Sequence, residues 1–341
     1  MKRRTVKRPT LPAILALLLA AAALPTAASE PAASWRLDYF HTGGMGDELF
    51  SVDRVVVEPL PWPGHPSGDV DPADLGSYRY RVIDAAGELL VQRGFGPIFA
   101  EWVTTAEAGE THRTFHESVR FPAPSGPITV AIDRRGGDGA FEEAWRTAVD
   151  PESIFVDRSL VGRQAPFAVH EIEIHGAARD KVDLLFVGDG YTAEECDAAF
   201  LPTARRLAAV LFGRQPFAER RDDWNLRALC PPAAESGVSR PSTGVHRRSP
   251  AGTTYDVFGS ERYVLTMDNR ALRDLAAWAP YDHLVILVNN DTYGGGGLFN
   301  LYATVAAGSD WADYLFIHEF GHHFAALADE YYTSPVAYQP P

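Results

Sequence analysis

The chain has 341 residues, with 45 acidic against 31 basic side chains and a formal net charge of −14. A surface this acidic argues against nucleic acid or an anionic membrane as partner. Its two cysteines, Cys196 and Cys230, are too few for a disulfide framework and lack metal-ligand spacing, so they either pair in an oxidising compartment or remain buried thiols.

The N-terminus carries Lys2, Arg3, Arg4, Lys7 and Arg8, then an apolar run from Leu11 to Leu24, then small residues from Thr26 to Ser29. This is the pattern of a secretory signal peptide over residues 1–29. The run is shorter than the ~18 residues a spanning helix needs, and no cysteine follows it to take a lipid anchor. The protein is therefore expected to be secreted or periplasmic. Removal of residues 1–29 takes away five basic and no acidic side chains, which carries the charge from −14 to −19.

A mature chain of about 310 residues suggests two domains. From Trp35 to about Asp150 the pattern is β. Tyr78-x-Tyr80-x-Val82, Phe115 to Phe121 and Ile128-x-Val130-x-Ile132 alternate as half-buried strands. Asp84–Gly87, Pro122–Pro127 and Arg135–Asp138 supply turns, and a Pro/Gly-rich loop runs from Pro59 to Pro72. A β-sandwich-like domain is expected over 30–155, with His112 and His116 at its surface, and then a linker over 156–180.

From about Asp180 strands and helices alternate. Val182–Val187 is a buried strand, and Thr192 with Glu195 forms a capping box. The helix that follows, kinked or split at Pro202, runs towards Phe212. Strands are expected at Trp224–Leu229, Arg262–Thr266 and His283–Asn289, and a helix at Asn269–Trp278. Pro231 to Ser260 has no periodicity and is either a functional loop over the site or a mobile insert. Tyr293-Gly-Gly-Gly-Gly-Leu298 lacks the Lys-Ser/Thr of a phosphate loop, and bare backbone there suits a sheet edge on which an extended peptide lies.

The last element carries His318-Glu319-Phe320-Gly321-His322, the HExxH pattern. Residues four apart share a helix face, so both imidazoles can converge on one metal ion, with Glu319 placed to act on its water. The flanks Leu315, Phe316, Ile317, Phe320, Phe324 and Leu327 are apolar, which buries the helix, and Ser309 or Asp310 is its expected cap. Titratable groups in such a setting are paired or bind metal. The expected fold class is α+β, a β-sandwich-like domain followed by a zincin-like α/β domain over 181–341.

These residues support a resemblance. Asp183–Thr192, Glu235–Ser239, Phe258–Tyr263, Tyr281-Asp282, Tyr293–Gly297 and His318 through Asp329-Glu-Tyr331 resemble the immunoglobulin A peptidase family of metallopeptidases. Arg93–Trp102 is similar to that family's N-terminal domain. The resemblance implies an exported zinc endopeptidase acting on protein or peptide, by metal-activated water with Glu319 as general base. Zincin peptidases continue after the metal helix into a further subdomain, which is expected to be missing here, and no methionine follows Glu319 to form a Met-turn. A non-catalytic envelope or glycan-binding protein and a zinc amidase acting on cell-wall peptides are the alternatives.

The expected zinc ligands are His318, His322 and Asp329. On an unbroken helix Asp329 would stand about 10 Å along the axis from His322, so the helix must end or bend near Leu327. The slots at which metzincins place a turning glycine and their third ligand hold Ala325 and Ala328. Glu330 and a residue beyond Pro341 are the other candidates for third ligand, and Tyr331 and Tyr332 are as well suited to packing as to assisting the reaction.

Overall fold

The computed structural model describes residues 32–64 and 70–329. The signal peptide, the middle of the Pro59–Pro72 loop, Glu330, Tyr331 and Tyr332 lie outside those residues.

The first half is built of strands β1 (Ala33–Gly44), β2 (Asp47–Pro61), β3 (Tyr78–Asp84), β4 (Leu89–Phe95), β5 (Arg113–Pro122), β6 (Ile128–Arg135), β7 (Phe141–Val149) and β8 (Val156–Asp157), with a short helix α1 (Ile98–Trp102) after β4. They form two four-stranded sheets, ordered β5-β1-β2-β8 and β4-β3-β6-β7. Alternation does the work: Tyr78, Tyr80 and Val82 are buried while Arg79 and Arg81 between them are half-buried. The inward faces share one core of Trp35, Leu37, Tyr39, Val119 and Phe121 with Tyr80, Val82, Val130 and Ile132. The rings of Tyr39 and Trp145 lie 5.7 Å apart across the two sheets. The opposite face of β1 is buried too, with Arg36 and Asp38 fully enclosed.

The second half has strands β9 (Val169–Glu173), β10 (Val182–Asp189), β11 (Trp224–Leu229), β12 (Thr253–Thr254), β13 (Leu265–Thr266), β14 (His283–Val288), β15 (Gly295–Leu298) and β16 (Tyr302–Ala306). Its helices are α2 (Ala193–Glu195), α3 (Leu201–Phe212), α4 (Asn269–Ala276) and α5 (Ala312–Ala325). A six-stranded mixed sheet runs β15-β16-β14-β10-β11-β9, parallel in the middle with an antiparallel strand at each edge. Central strands read as unbroken apolar runs because both faces are covered. Leu184 and Phe186 pack towards α3 and α5, while Leu185 and Val187 join the core that continues into the first half. The architecture is α+β.

Several local expectations are altered. The Thr192–Glu195 capping box is present. A π-helical turn over Cys196–Phe200 separates α2 from α3, so Pro202, which has no N–H to give, falls in the first turn of a new helix. Cys196 and Cys230 are joined in a disulfide, which closes the alternative of free thiols. Residues 156–180 contribute β8 to one sheet and β9 to another, so this segment is more than a connection. The strand expected over Arg262–Thr266 shrinks to Leu265–Thr266, and the helix from Asn269 ends at Ala276, capped by the Asp268 carboxylate, which accepts from the Ala271 N–H at 3.0 Å. The stretch from Pro231 to Ser260 is pinned by Asp189, whose carboxylate accepts from Ser249 Oγ (2.7 Å), Ala251 N (2.8 Å) and Thr253 N (2.9 Å).

The two halves meet over α4. Arg36 binds Asp38 (2.7 Å) and Asp274 (2.5 Å), and Arg54 also binds Asp274 (2.8 Å). His116, read from the sequence as a surface residue, is drawn into this joint. Its Nδ1 accepts from Asn269 Nδ2 at 3.1 Å, which leaves its Nε2 to donate to Asp53 at 3.2 Å. His112 is exposed, as expected, and lies 3.1 Å from Asp47.

Candidate metal centre

α5 owes its place to one apolar stripe. Ala312, Leu315, Phe316, Glu319, Phe320 and His323 face inward, at helical spacing. Phe316 and Phe320 pack in the same cluster as Phe186, Val285, Leu287 and Val305. Trp311, Tyr314, His318 and His322 form the adjoining, more open stripe, and the Tyr314 ring stacks on His318 at 5.7 Å and 18°. At the N-terminus of α5 neither Ser309 nor Asp310 is the cap: Trp311 takes that position without a side-chain cap bond, and the Ser309 hydroxyl accepts the Trp311 N–H at 3.2 Å one step before the helix.

The helix ends at Ala325, and Ala326 takes a left-handed conformation (φ 53°). Leu327 N–H turns back to the Gly321 carbonyl at 3.3 Å. Two consequences follow from that turn. The Leu327 carbonyl accepts a hydrogen bond from His322 Nδ1, which fixes the ring and leaves Nε2 with a free lone pair. Asp329 folds back over the helix, and its Oδ1 comes to 3.3 Å from His318 Nε2 and 3.3 Å from His322 Nε2, themselves 3.2 Å apart.

The three donor atoms thus make a nearly equilateral triangle. A tetrahedral centre with bonds of about 2.0–2.1 Å has edges of about 3.3–3.4 Å, so the donor set fits a zinc-sized ion. Asp329 Oδ1 is buried without a hydrogen-bond partner among the described residues, the orphan acceptor a cation would satisfy. Glu319 adjoins the triangle: a carboxylate oxygen of Glu319 and the two histidine nitrogens lie within 4.8 Å of one another. Burial, then the Asp329 charge, pushes the Glu319 carboxyl up to about 8. Burial and the neighbouring His322 hold His318 below the ordinary imidazole range, the direction that favours the neutral ring a metal would require. A cation at the triangle would favour the ionised form of both carboxylates.

The glycines of Tyr293–Leu298 serve this arrangement in a way the sequence did not disclose. β15 is an edge strand, but its outer edge at Gly295 is paired with the chain itself: Gly295 N–H donates to Arg262 O and Gly295 O accepts from Val264 N, each at 3.1 Å. The absent side chains admit close neighbours instead. A Cβ on Gly295 would lie 3.0 Å from Glu319 Cγ, and one on Gly297 would lie 2.3 Å from the Glu319 carbonyl and 2.8 Å from His322 Cβ. On the other face Gly296 is covered by the Tyr263 ring.

Other participants were also invisible in the pattern. His323 points away from the triangle, into the core. Its Nδ1 donates to Leu298 O at 2.9 Å, so its Nε2 accepts from His283 Nδ1 at 3.3 Å, and burial pulls its pKa down to about 4. It ties α5 to β15. From the first half, α1 delivers Glu101, whose carboxylate accepts from the Tyr263 hydroxyl at 3.4 Å. A second cluster of metal-ligating types, Asp38, Asp53 and His116, is already charge-matched by Arg36, Arg54 and Arg270.

Residues 171–341 match the family model described as IgA Peptidase M64, and residues 30–146 match that described as Peptidase M64 N-terminus. The chain belongs to the IgA peptidase M64 family. Membership makes it a metallopeptidase, with a protein or peptide as substrate. No curated protein matches the chain closely enough to be compared with it. In this M64 peptidase no helix among the described residues is long and apolar enough to cross a membrane, and the Cys196–Cys230 disulfide is consistent with an extracellular protein.

Proposed function

We propose that this chain is an exported, zinc-dependent endopeptidase with a zincin-like second domain, in which His318, His322 and Asp329 hold the metal and Glu319 is the general base. The return of Asp329 Oδ1 to 3.3 Å from both imidazoles carries the reading. When bound, zinc supplies Lewis acidity, polarising the scissile carbonyl and making water easier to deprotonate. Glu319 takes the proton of the attacking water and passes it to the leaving amine, a role suited to a carboxylate whose burial raises its basicity. His322 is held in register through Leu327, and His318 is backed by Tyr314.

The surroundings favour a polypeptide over a small substrate. Trp311, Tyr314, Tyr293 and Leu327 are exposed apolar side chains on and beside the metal helix, an uncommon concentration that suits an extended partner. Export is supported by the signal-peptide pattern of residues 1–29 together with the disulfide.

The test is Glu319→Gln in the full chain. It should bind one zinc per chain as the wild type does, while casein hydrolysis falls by roughly 100-fold or more, since the base is lost and the ligands stay. Undiminished proteolysis by Glu319→Gln would sink the mechanism, and wild-type cleavage of purified cell-wall peptides but not casein would move the chain to the amidase reading.

A further inference from the structure

Helix α1 carries an acidic group that no cation answers among the described residues. Ile98, Phe99 and Trp102 are buried, and Glu101 is left on the more open side of the helix. Its carboxylate accepts from the Tyr263 hydroxyl at a long 3.4 Å, and the other titratable group that bears on it is His322. Among the described residues no Lys or Arg stands within ion-pair distance of it, and the stretches 65–69 and 330–341 contain neither. Arg262, next to Tyr263 in the chain, bears on Glu319 and His318 instead. Burial raises the Glu101 pKa further than Tyr263 and His322 lower it. A carboxylate enclosed with one weak hydrogen bond and no cation is costly to keep, and a cation brought from outside would offset that cost.

The fold sets this group beside the metal triangle. Gly96 N–H donates to Phe299 O at 2.8 Å, so α1 begins next to the end of β15. The Tyr263 ring that Glu101 holds covers Gly296, and a Cβ on the following glycine, Gly297, would lie 2.8 Å from His322 Cβ. Glu101 therefore stands on the His322 side of the triangle. Glu101, Tyr263 and His322 are each half-buried, which places the group at a rim rather than in the sealed core. The net charge of −14 adds a field that draws cationic segments towards the molecule.

We propose that Glu101 is a specificity-determining residue, which pairs with a Lys or Arg side chain of the polypeptide substrate close to the bond that is cut. The first half thereby supplies part of the substrate site, and the cation completes the pairing that the chain leaves open. The inference rests on the peptidase reading.

The test uses fluorogenic peptides in which a single Lys is stepped through an otherwise uncharged sequence, each compared with the same peptide acetylated on that Lys. At one position the free Lys should raise kcat/KM of the zinc-loaded full chain by about 10-fold over its acetylated form, a gain that shrinks with added salt. In Glu101→Gln that ratio should fall to about one, and in Glu101→Lys a Glu at that position should become the better residue. A merely structural role would lower turnover of both peptides alike and leave the ratio unmoved. Wild-type ratios near one at every position, with the acetylated peptides still cut, would overturn the inference and leave the peptidase reading standing. A ratio that Glu101→Gln leaves intact would overturn it as well, because the acidic partner would lie elsewhere. Should that variant not fold, Glu101→Asp, with the charge drawn back by one methylene, should lower the ratio about threefold, and an unchanged ratio counts against the site. If no peptide is cut, the peptidase reading fails instead, and fluorescence anisotropy of the same peptides decides: tighter binding of the free-Lys form that depends on Glu101 supports the site, and equal binding overturns it.

Discussion

Gly297→Ala probes the contact that holds the HExxH helix α5 against the sheet. The added Cβ would lie 2.3 Å from the Glu319 carbonyl oxygen and 2.8 Å from His322 Cβ. Neither atom is the end of a flexible side chain, so the methyl cannot be accommodated by a rotamer change. Restoring an ordinary separation of about 3.4 Å requires β15 and α5 to part by about 1 Å. Overpacking of this kind costs about 1–3 kcal/mol of stability. The larger effect should be on the site, because a displacement of about 1 Å is enough to lower turnover about 100-fold. His322 would leave a triangle whose edges are 3.2–3.3 Å. Gly126→Ala is the control, since a Cβ there meets nothing within 4 Å. Zinc content, casein hydrolysis and thermal unfolding should be measured on both variants. Wild-type zinc affinity and turnover in Gly297→Ala would refute the argument that this glycine sets the helix–strand distance.

Removal of the disulfide by Cys196→Ala opens a 34-residue loop, for which loop-closure entropy gives about 4 kcal/mol, and denaturant unfolding should show a loss of roughly that size. A loss under about 1 kcal/mol would mean that the unfolded chain is not restrained there. His41 is fully buried between the Phe50 and Phe99 rings, with Glu117 at 3.2 Å and Glu48 at 3.0 Å from its two nitrogens, and Tyr78, Tyr39 and Arg134 around those carboxylates. Burial opposes its charge, but Glu117 and Glu48 outweigh burial and raise its pKa. Its stabilisation is therefore full below about 6.5 and is lost as pH rises through the higher folded value. Denaturation between pH 6 and pH 9 should show a decline that His41→Gln flattens, and parallel profiles would contradict the assignment.

Much of the scaffold was legible because it rests on local rules. The buried strands around Phe186 and Ile286 are continuous apolar runs, the capping box is two residues three apart, and the HExxH helix carries its own apolar stripe. What escaped depends on contacts between distant segments. The glycines of β15 could be read as a strand-accepting edge, yet their use is to admit Glu319, His322 and Tyr263, which only the packing reveals. His116 sits in an alternating strand like any surface histidine, and only the tertiary fold brings Asn269 to its Nδ1 and leaves it half-buried. Helix α1 spans five residues, too few for periodicity to register, yet it carries Glu101 to Tyr263. Asp189 reads in the sequence as part of the turn after a strand, yet it is the last residue of β10, and its role as anchor of the Pro231–Ser260 stretch lies about sixty residues away. The left-handed turn at Ala326 has no glycine to announce it.

The central claim is that Asp329 closes the metal triangle, and zinc affinity measured by competition with a chelator tests it most directly. Asp329→Ala should weaken zinc binding by roughly 100-fold or more, because one of three ligands is gone, while Glu330→Ala should bind as the wild type does. The reverse pattern, with Glu330→Ala losing the metal and Asp329→Ala keeping it, would contradict the account and transfer the third ligand to Glu330.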